Sequence, residues 1–138
     1  MREQITASEE DPPPLRMLVV EDEALISLLI ESMLYDMGCK TVDCAHSVPH
    51  ALALLDPTTP SIDAAMLDIN LGGTLVFPVA EALAARDIPF AFITGYGANG
   101  VPKRFAAATV IQKPFTEKDL AYAMDALRRQ RSTKAANA

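Results

Sequence analysis

Cysteine is nearly absent from this 138-residue chain, with Cys39 and Cys44 the two examples. That excludes a small scaffold stapled by several disulfides. On one continuous strand these two would point to opposite faces, so reduced thiols are expected. No uninterrupted apolar run is long enough to cross a bilayer, and the first residues are polar and acidic. Neither a transmembrane span nor a signal peptide is therefore predicted, and the cytoplasm is the default compartment. Positive charge is scarce, at 12 Lys and Arg against 18 Asp and Glu, for a net charge of −6. The deficit is concentrated in residues 17–127, which carry 6 basic and 14 acidic side chains. A body this acidic repels a phosphate backbone, so nucleic-acid binding is not expected. Arg128, Arg129, Arg131 and Lys134 near the C-terminus read as a soluble helix end, where cations favour the helix dipole.

Apolar residues are plentiful at 50 %, enough for the core of one domain. Residues 1–15, with Glu9, Glu10, Asp11 and Pro12-Pro13-Pro14, read as a flexible acidic arm. Residues 131–138 read as a frayed tail, leaving one domain at 16–130. Within it, short apolar runs alternate with helical spacing. Met17–Val20 is a continuous run suited to a strand covered on both faces. Ile26, Leu29, Ile30, Met33, Leu34 and Met37 follow helical spacing up to Gly38. Cys39–Ala45 is a second strand, and Ser47–Leu55 a helix with Pro49 in its first turn. Ile62–Leu67 is a third strand running into Asp68, after which Gly72-Gly73 breaks the chain. Val76, Val79, Ala80 and Leu83 mark the next helix, with Pro78 in its first turn. Pro89–Ile93 is a fourth strand ending at Thr94. Gly95–Gly100 reads as a loop, and 102–107 offers room for a short helix only. Thr109–Gln112 is a fifth strand ending at Lys113. Thr116 and Asp119 then cap a last helix that buries Leu120, Ala123, Met124 and Leu127. Five strand–helix units imply an α/β, doubly wound parallel sheet with helices on both faces.

In such sheets ligands sit beyond the C-terminal ends of the strands. Glu21 and Asp22 follow strand one, Asp68 strand three, Thr94 strand four and Lys113 strand five. Three carboxylates in one crevice repel one another, and a divalent cation relieves that repulsion. Oxygen ligands, an open shell and a phosphate co-ligand suit Mg²⁺. Asp68 can then attack a phosphoryl group to form an acyl phosphate. Lys113 offers a point charge and Thr94 a hydroxyl to the phosphoryl oxygens.

The chain resembles the receiver domain of two-component response regulators. The matching segments are Leu18-Val19-Val20-Glu21-Asp22-Glu23, Met66-Leu67-Asp68-Ile69-Asn70-Leu71, Ile93-Thr94-Gly95 and Gln112-Lys113-Pro114-Phe115. The resemblance implies a flavodoxin-like sheet in the order 2-1-3-4-5. It implies Asp68 as phospho-acceptor, Asp22 and Asp68 as metal ligands, Glu21 acting through water, and Asn70 offering its backbone carbonyl. It implies Thr94 and Lys113 as phosphoryl contacts, and a cis Lys113–Pro114 bond. Receivers usually carry an aromatic switch residue three positions before the lysine, where this chain has Val110. Phe92-Ile93-Thr94-Gly95-Tyr96-Gly97 is similar instead to the motif of single-domain "FATGUG" receivers of alphaproteobacteria, which makes Thr94 and Tyr96 the switch pair. That likeness implies a stand-alone, monomeric relay or phosphate sink. Its phosphoryl donor would be a sensor histidine kinase, of the HWE or a related type, or a phosphotransfer protein.

Two other readings compete. An aspartate-based phosphohydrolase of the haloacid dehalogenase type carries a second Asp two residues after its nucleophile. Here that position is Asn70, which cannot do acid/base work. A degenerate receiver would bind a partner without phosphorylation, and the short stretch between Gly95 and Thr109 keeps that reading open. His46 and His50 lack a third metal ligand nearby and read as exposed polar residues. The G-x-G at Gly95 lacks the rest of a dinucleotide pattern.

Overall fold

The computed structural model describes residues 15–95 and 100–137, with side chains through residue 131. The acidic arm before Leu15 and residues 96–99, including Tyr96, lie outside the described residues. Along the chain run β1 (Arg16–Val20), α1 (Ala24–Asp36), β2 (Thr41–Ala45), α2 (Val48–Leu54) and β3 (Ala64–Asp68). Next come β4 (Asn70–Leu71), β5 (Thr74–Leu75), α3 (Phe77–Ala85), β6 (Phe90–Thr94), β7 (Thr109–Gln112) and α4 (Glu117–Asn137). The five longer strands form one parallel sheet in the order β2-β1-β3-β6-β7, which is the predicted 2-1-3-4-5 arrangement. The chain therefore has a flavodoxin-like fold.

Side chains alternate across a strand, so each strand feeds two cores. Leu18, Val20, Leu67 and Phe92 pack with Ala51 and Leu55 near α2 and with Val79 and Leu83 of α3. Met17, Val19, Met66 and Ile93 pack with Ile30 and Leu34 of α1 and with Leu120 and Leu127 of α4. Covering both faces explains why the strands read as unbroken apolar runs. Local signals fix the helix starts. The Ser47 hydroxyl accepts from the His50 amide at 3.2 Å at the start of α2. Before α4, the Thr116 amide donates to Asp119 Oδ2 at 2.8 Å, and the Asp119 amide donates to Thr116 Oγ1 at 3.2 Å.

Several boundaries differ from expectation. Leu15, predicted to lie in the arm, is only 3 % exposed and packs beside Met17, because the strand entry needs an apolar seal. β2 starts at Thr41 rather than Cys39, since the Cys39 amide still bonds back to the Leu34 carbonyl at the end of α1. Both cysteines are free thiols. Between β6 and β7 the described chain includes the 3₁₀ turn Lys103–Phe105. Phe105 anchors that turn by stacking on Phe77 and meeting Phe90 and Phe92 edge-to-face, at centroid distances of 5.7–6.0 Å. The helix α4 runs on to Asn137, through the stretch predicted to be a frayed tail. Lys134, Ala135 and Ala136 are strong helix formers, and the polar composition of that stretch masked this.

The fold also contains a hairpin that the sequence reading missed. β4 and β5 pair antiparallel around Gly72 (φ +64°) and Gly73 (φ +101°). Two successive positive φ values match a tight two-residue hairpin turn, which suits glycine. The Asn70 side-chain oxygen accepts from the Gly73 amide at 2.6 Å and closes the turn.

Candidate functional site

Strand register places the polar residues together. Val20 lies opposite Leu67 and Ala45, Asp68 opposite Ile93, and Thr94 opposite Gln112. Glu21, Asp68, Thr94 and Lys113 thus emerge along one edge of the sheet. Carboxylate oxygens of Glu21, Asp22 and Asp68 all lie within 4.8 Å of one another. The three are not equivalent. Glu21 is 1 % exposed and Asp68 6 %, whereas Asp22 is exposed.

Lys113 is the cation bonded into this group. Its Nζ lies 3.2 Å from Glu21 Oε1 and 3.2 Å from Asp68 Oδ2. Its backbone amide donates to the Thr94 carbonyl at 2.8 Å, and the Lys113–Pro114 bond is cis. One ammonium shared between two carboxylates leaves the cluster short of positive charge. Burial pushes Glu21 up from its ordinary 4.5 to about 7, and the nearby Asp68 charge adds to the rise. The Glu23 amide, 3.0 Å from Glu21 Oε2, and Lys113 both oppose that rise. Burial alone would lower the Lys113 pKa, but the charges of Asp68 and Glu21 outweigh it and hold the ammonium above its usual range.

Thr94 is buried at the same edge, at the end of β6. The Asn70 side chain is engaged in the hairpin turn. The predicted partner Tyr96 lies outside the described residues. Val110, at the usual switch-aromatic position, is half-buried against the core and leaves that position aliphatic. His46 is exposed as expected, yet its Nδ1 lies 2.9 Å from the Glu21 carbonyl oxygen. A carbonyl can only accept, so Nδ1 carries the proton and braces the loop after β1. No local pattern marks that contact in the sequence. The hairpin was missed for a similar reason, because two-residue strands carry no periodicity.

The acidic cluster reaches the surface through Asp22, its exposed member. Two grooves, of about 680 and 400 Å³, open near Ile88, before β6, and neither is lined by Glu21, Asp22 or Asp68. No described helix is long and apolar enough to cross a membrane.

The response regulator receiver domain model matches residues 17–125. The fold is similar to the solution structure of SdrG from Sphingomonas melonis Fr1, at 46 % identity and TM-score 0.71, covering 83 % of this chain and 96 % of that one. It is similar to the BeF3-activated conformation of SdrG from Pseudomonas melonis Fr1, at 46 % identity and TM-score 0.70, covering 82 % and 95 %. A response regulator receiver protein from Sinorhizobium medicae WSM419 matches at 28 % identity and TM-score 0.71, covering 86 % and 97 %. No curated protein matches. With the family model spanning most of the chain and the sheet order and acidic edge in agreement, the chain belongs to the response regulator receiver family of two-component signalling.

Proposed function

We propose that this chain accepts a phosphoryl group on Asp68 from a phosphohistidine of a sensor histidine kinase or a phosphotransfer protein. The observation that carries the reading is the placement of Asp68. Its carboxylate lies at the C-terminal edge of the sheet, beside two further carboxylates and bonded to Lys113 Nζ. An Asp68 oxygen attacks phosphorus, the P–N bond of the donor breaks, and its electron pair leaves with the imidazole nitrogen. Lys113 moves from bridging carboxylates to contacting a phosphoryl oxygen, and the Thr94 hydroxyl donates to another. The chain acts only on its own phosphorylation and dephosphorylation.

The donor set fits Mg²⁺. It consists of hard oxygens within 4.8 Å of one another, and it includes a carboxyl that burial, with the nearby Asp68 charge adding, pushes up to about 7. Asp22, Asp68 and the Asn70 backbone carbonyl would hold the ion, with Glu21 acting through water. When bound, the ion neutralises charge on the phosphoryl oxygens.

Output runs through protein contacts or through competition for phosphoryl groups as a sink. The segment Phe92-Ile93-Thr94-Gly95-Tyr96-Gly97 supports the stand-alone, FATGUG-type reading, with Thr94 and Tyr96 as switch residues and a kinase of the HWE or a related type as donor. The test is intact mass after incubation with acetyl phosphate, with and without Mg²⁺, on wild type and Asp68→Ala. A single phosphoryl adduct that needs both Mg²⁺ and Asp68 is expected. Many phosphates released per chain would point to a phosphohydrolase. No adduct from acetyl phosphate or from a phosphorylated histidine donor would leave a phosphorylation-independent binding module.

A further inference from the structure

The β4–β5 hairpin does more than connect β3 to α3. A Cβ placed on Gly72 would lie 3.3 Å from Asp22 Oδ2, whereas one placed on Gly73 would meet nothing within 4 Å. Both glycines have positive φ, so a side chain at either strains the backbone. Gly72 alone also borders a carboxylate of the acidic cluster. We infer that Gly72 is a positioning residue for Asp22, its missing side chain letting the hairpin backbone seat that carboxylate where Mg²⁺ is favoured over larger cations. The inference rests on the proposed metal site and deepens it.

The physical argument is one of tolerance. A contact of 3.3 Å is tight for a carbon against a carboxylate oxygen, so a side chain there displaces Asp22 by a few tenths of an ångström. Mg²⁺ demands near-octahedral geometry at about 2.0–2.1 Å, while Ca²⁺ accepts about 2.3–2.6 Å in flexible shells. The same displacement therefore costs Mg²⁺ more than Ca²⁺. Asp22 is exposed, so no packed core resists the shift. The hairpin holds its own shape through the Asn70–Gly73 bond, so the displaced group is the carboxylate.

The test is calorimetric titration of the full chain with Mg²⁺ and, separately, with Ca²⁺. Wild type, Gly72→Ala and Gly73→Ala are compared, with thermal unfolding of each in the absence of metal. Both variants should lose a few degrees of Tm, because both place alanine at positive φ. Gly72→Ala alone should raise the Mg²⁺ dissociation constant by about 10–100-fold, the usual range for disturbing a ligand's support. Its Ca²⁺ constant should move much less. Should Gly72→Ala fold poorly, Gly72→Asn replaces it, because asparagine tolerates left-handed backbone yet still carries a Cβ. It should show the same loss of Mg²⁺ preference. Equal Mg²⁺ and Ca²⁺ losses in a Gly72 variant, or equal Mg²⁺ losses in the Gly72 and Gly73 variants, would overturn the inference and leave the metal site standing. Absence of Mg²⁺ binding by wild type would overturn both.

Discussion

The two ends of the sheet treat carboxylates in opposite ways. At the N-terminal end, Asp63 accepts the Arg16 backbone amide at 2.9 Å through one oxygen and pairs with Arg131 at 2.7 Å through the other. At the C-terminal end, Glu21 and Asp68 share one Lys113, and Glu21 is pushed up to about 7. Matched acids hold a structure together, while unmatched acids store a demand for positive charge. The fold keeps the demand at the end where a ligand can answer it.

The comparison breaks most visibly at Lys113. Lys113→Ala should slow phosphoryl acceptance by about 10²–10³-fold, the usual loss when a preorganised charge contact is removed. Single-turnover assays with acetyl phosphate would measure this, and an unchanged rate would remove Lys113 from the transition state.

The pH dependence sharpens the same contrast. Glu21 has a folded pKa near 7 against an ordinary 4.5. Its contribution to stability is therefore fully present below pH 4.5 and is lost as pH rises through about 7. The loss amounts to about 3 kcal/mol at most. Denaturant unfolding without metal, compared with Glu21→Gln to isolate this group, should show wild type falling relative to the variant across that window. Parallel curves would mean that Glu21 titrates normally.

At the matched end, Asp63→Asn should destabilise the chain by about 1–3 kcal/mol through weakened charge-assisted bonds. Adduct formation at Asp68 should stay intact, with unfolding midpoints and intact mass as the two readouts. The smallest effect belongs to a pair at neither end. Arg104 and Glu81 are 2.8 Å apart but both more than half exposed. Glu81→Gln should change stability by no more than about 0.5 kcal/mol in urea titration.

These regions were not equally readable from the residues. Glu21, Asp22, Asp68, Thr94 and Lys113 each follow an apolar run, and parallel strands gather such positions at one edge. Asp63 carries no comparable signal, because its partners Arg16 and Arg131 are distant in the chain and only packing brings them near. The hairpin at Gly72-Gly73 was read as a break because its pairing depends on one side chain, Asn70. The Glu21 carbonyl contact to His46 was invisible for the same reason. The end of α4 was misplaced because polar residues can continue a helix as well as finish one.

The bond between Glu21 and Lys113 joins positions 92 residues apart. β7 is the last strand of the sheet, and it brings this lysine. A nascent chain has therefore made both Glu21 and Asp68 well before their shared cation emerges, and contacts between distant segments form late. Until β7 docks against β6, the two acids face each other without that compensation. The lysine is thus a late arrival at this edge, and its bridge between the two acids belongs only to a molecule whose last strand has docked.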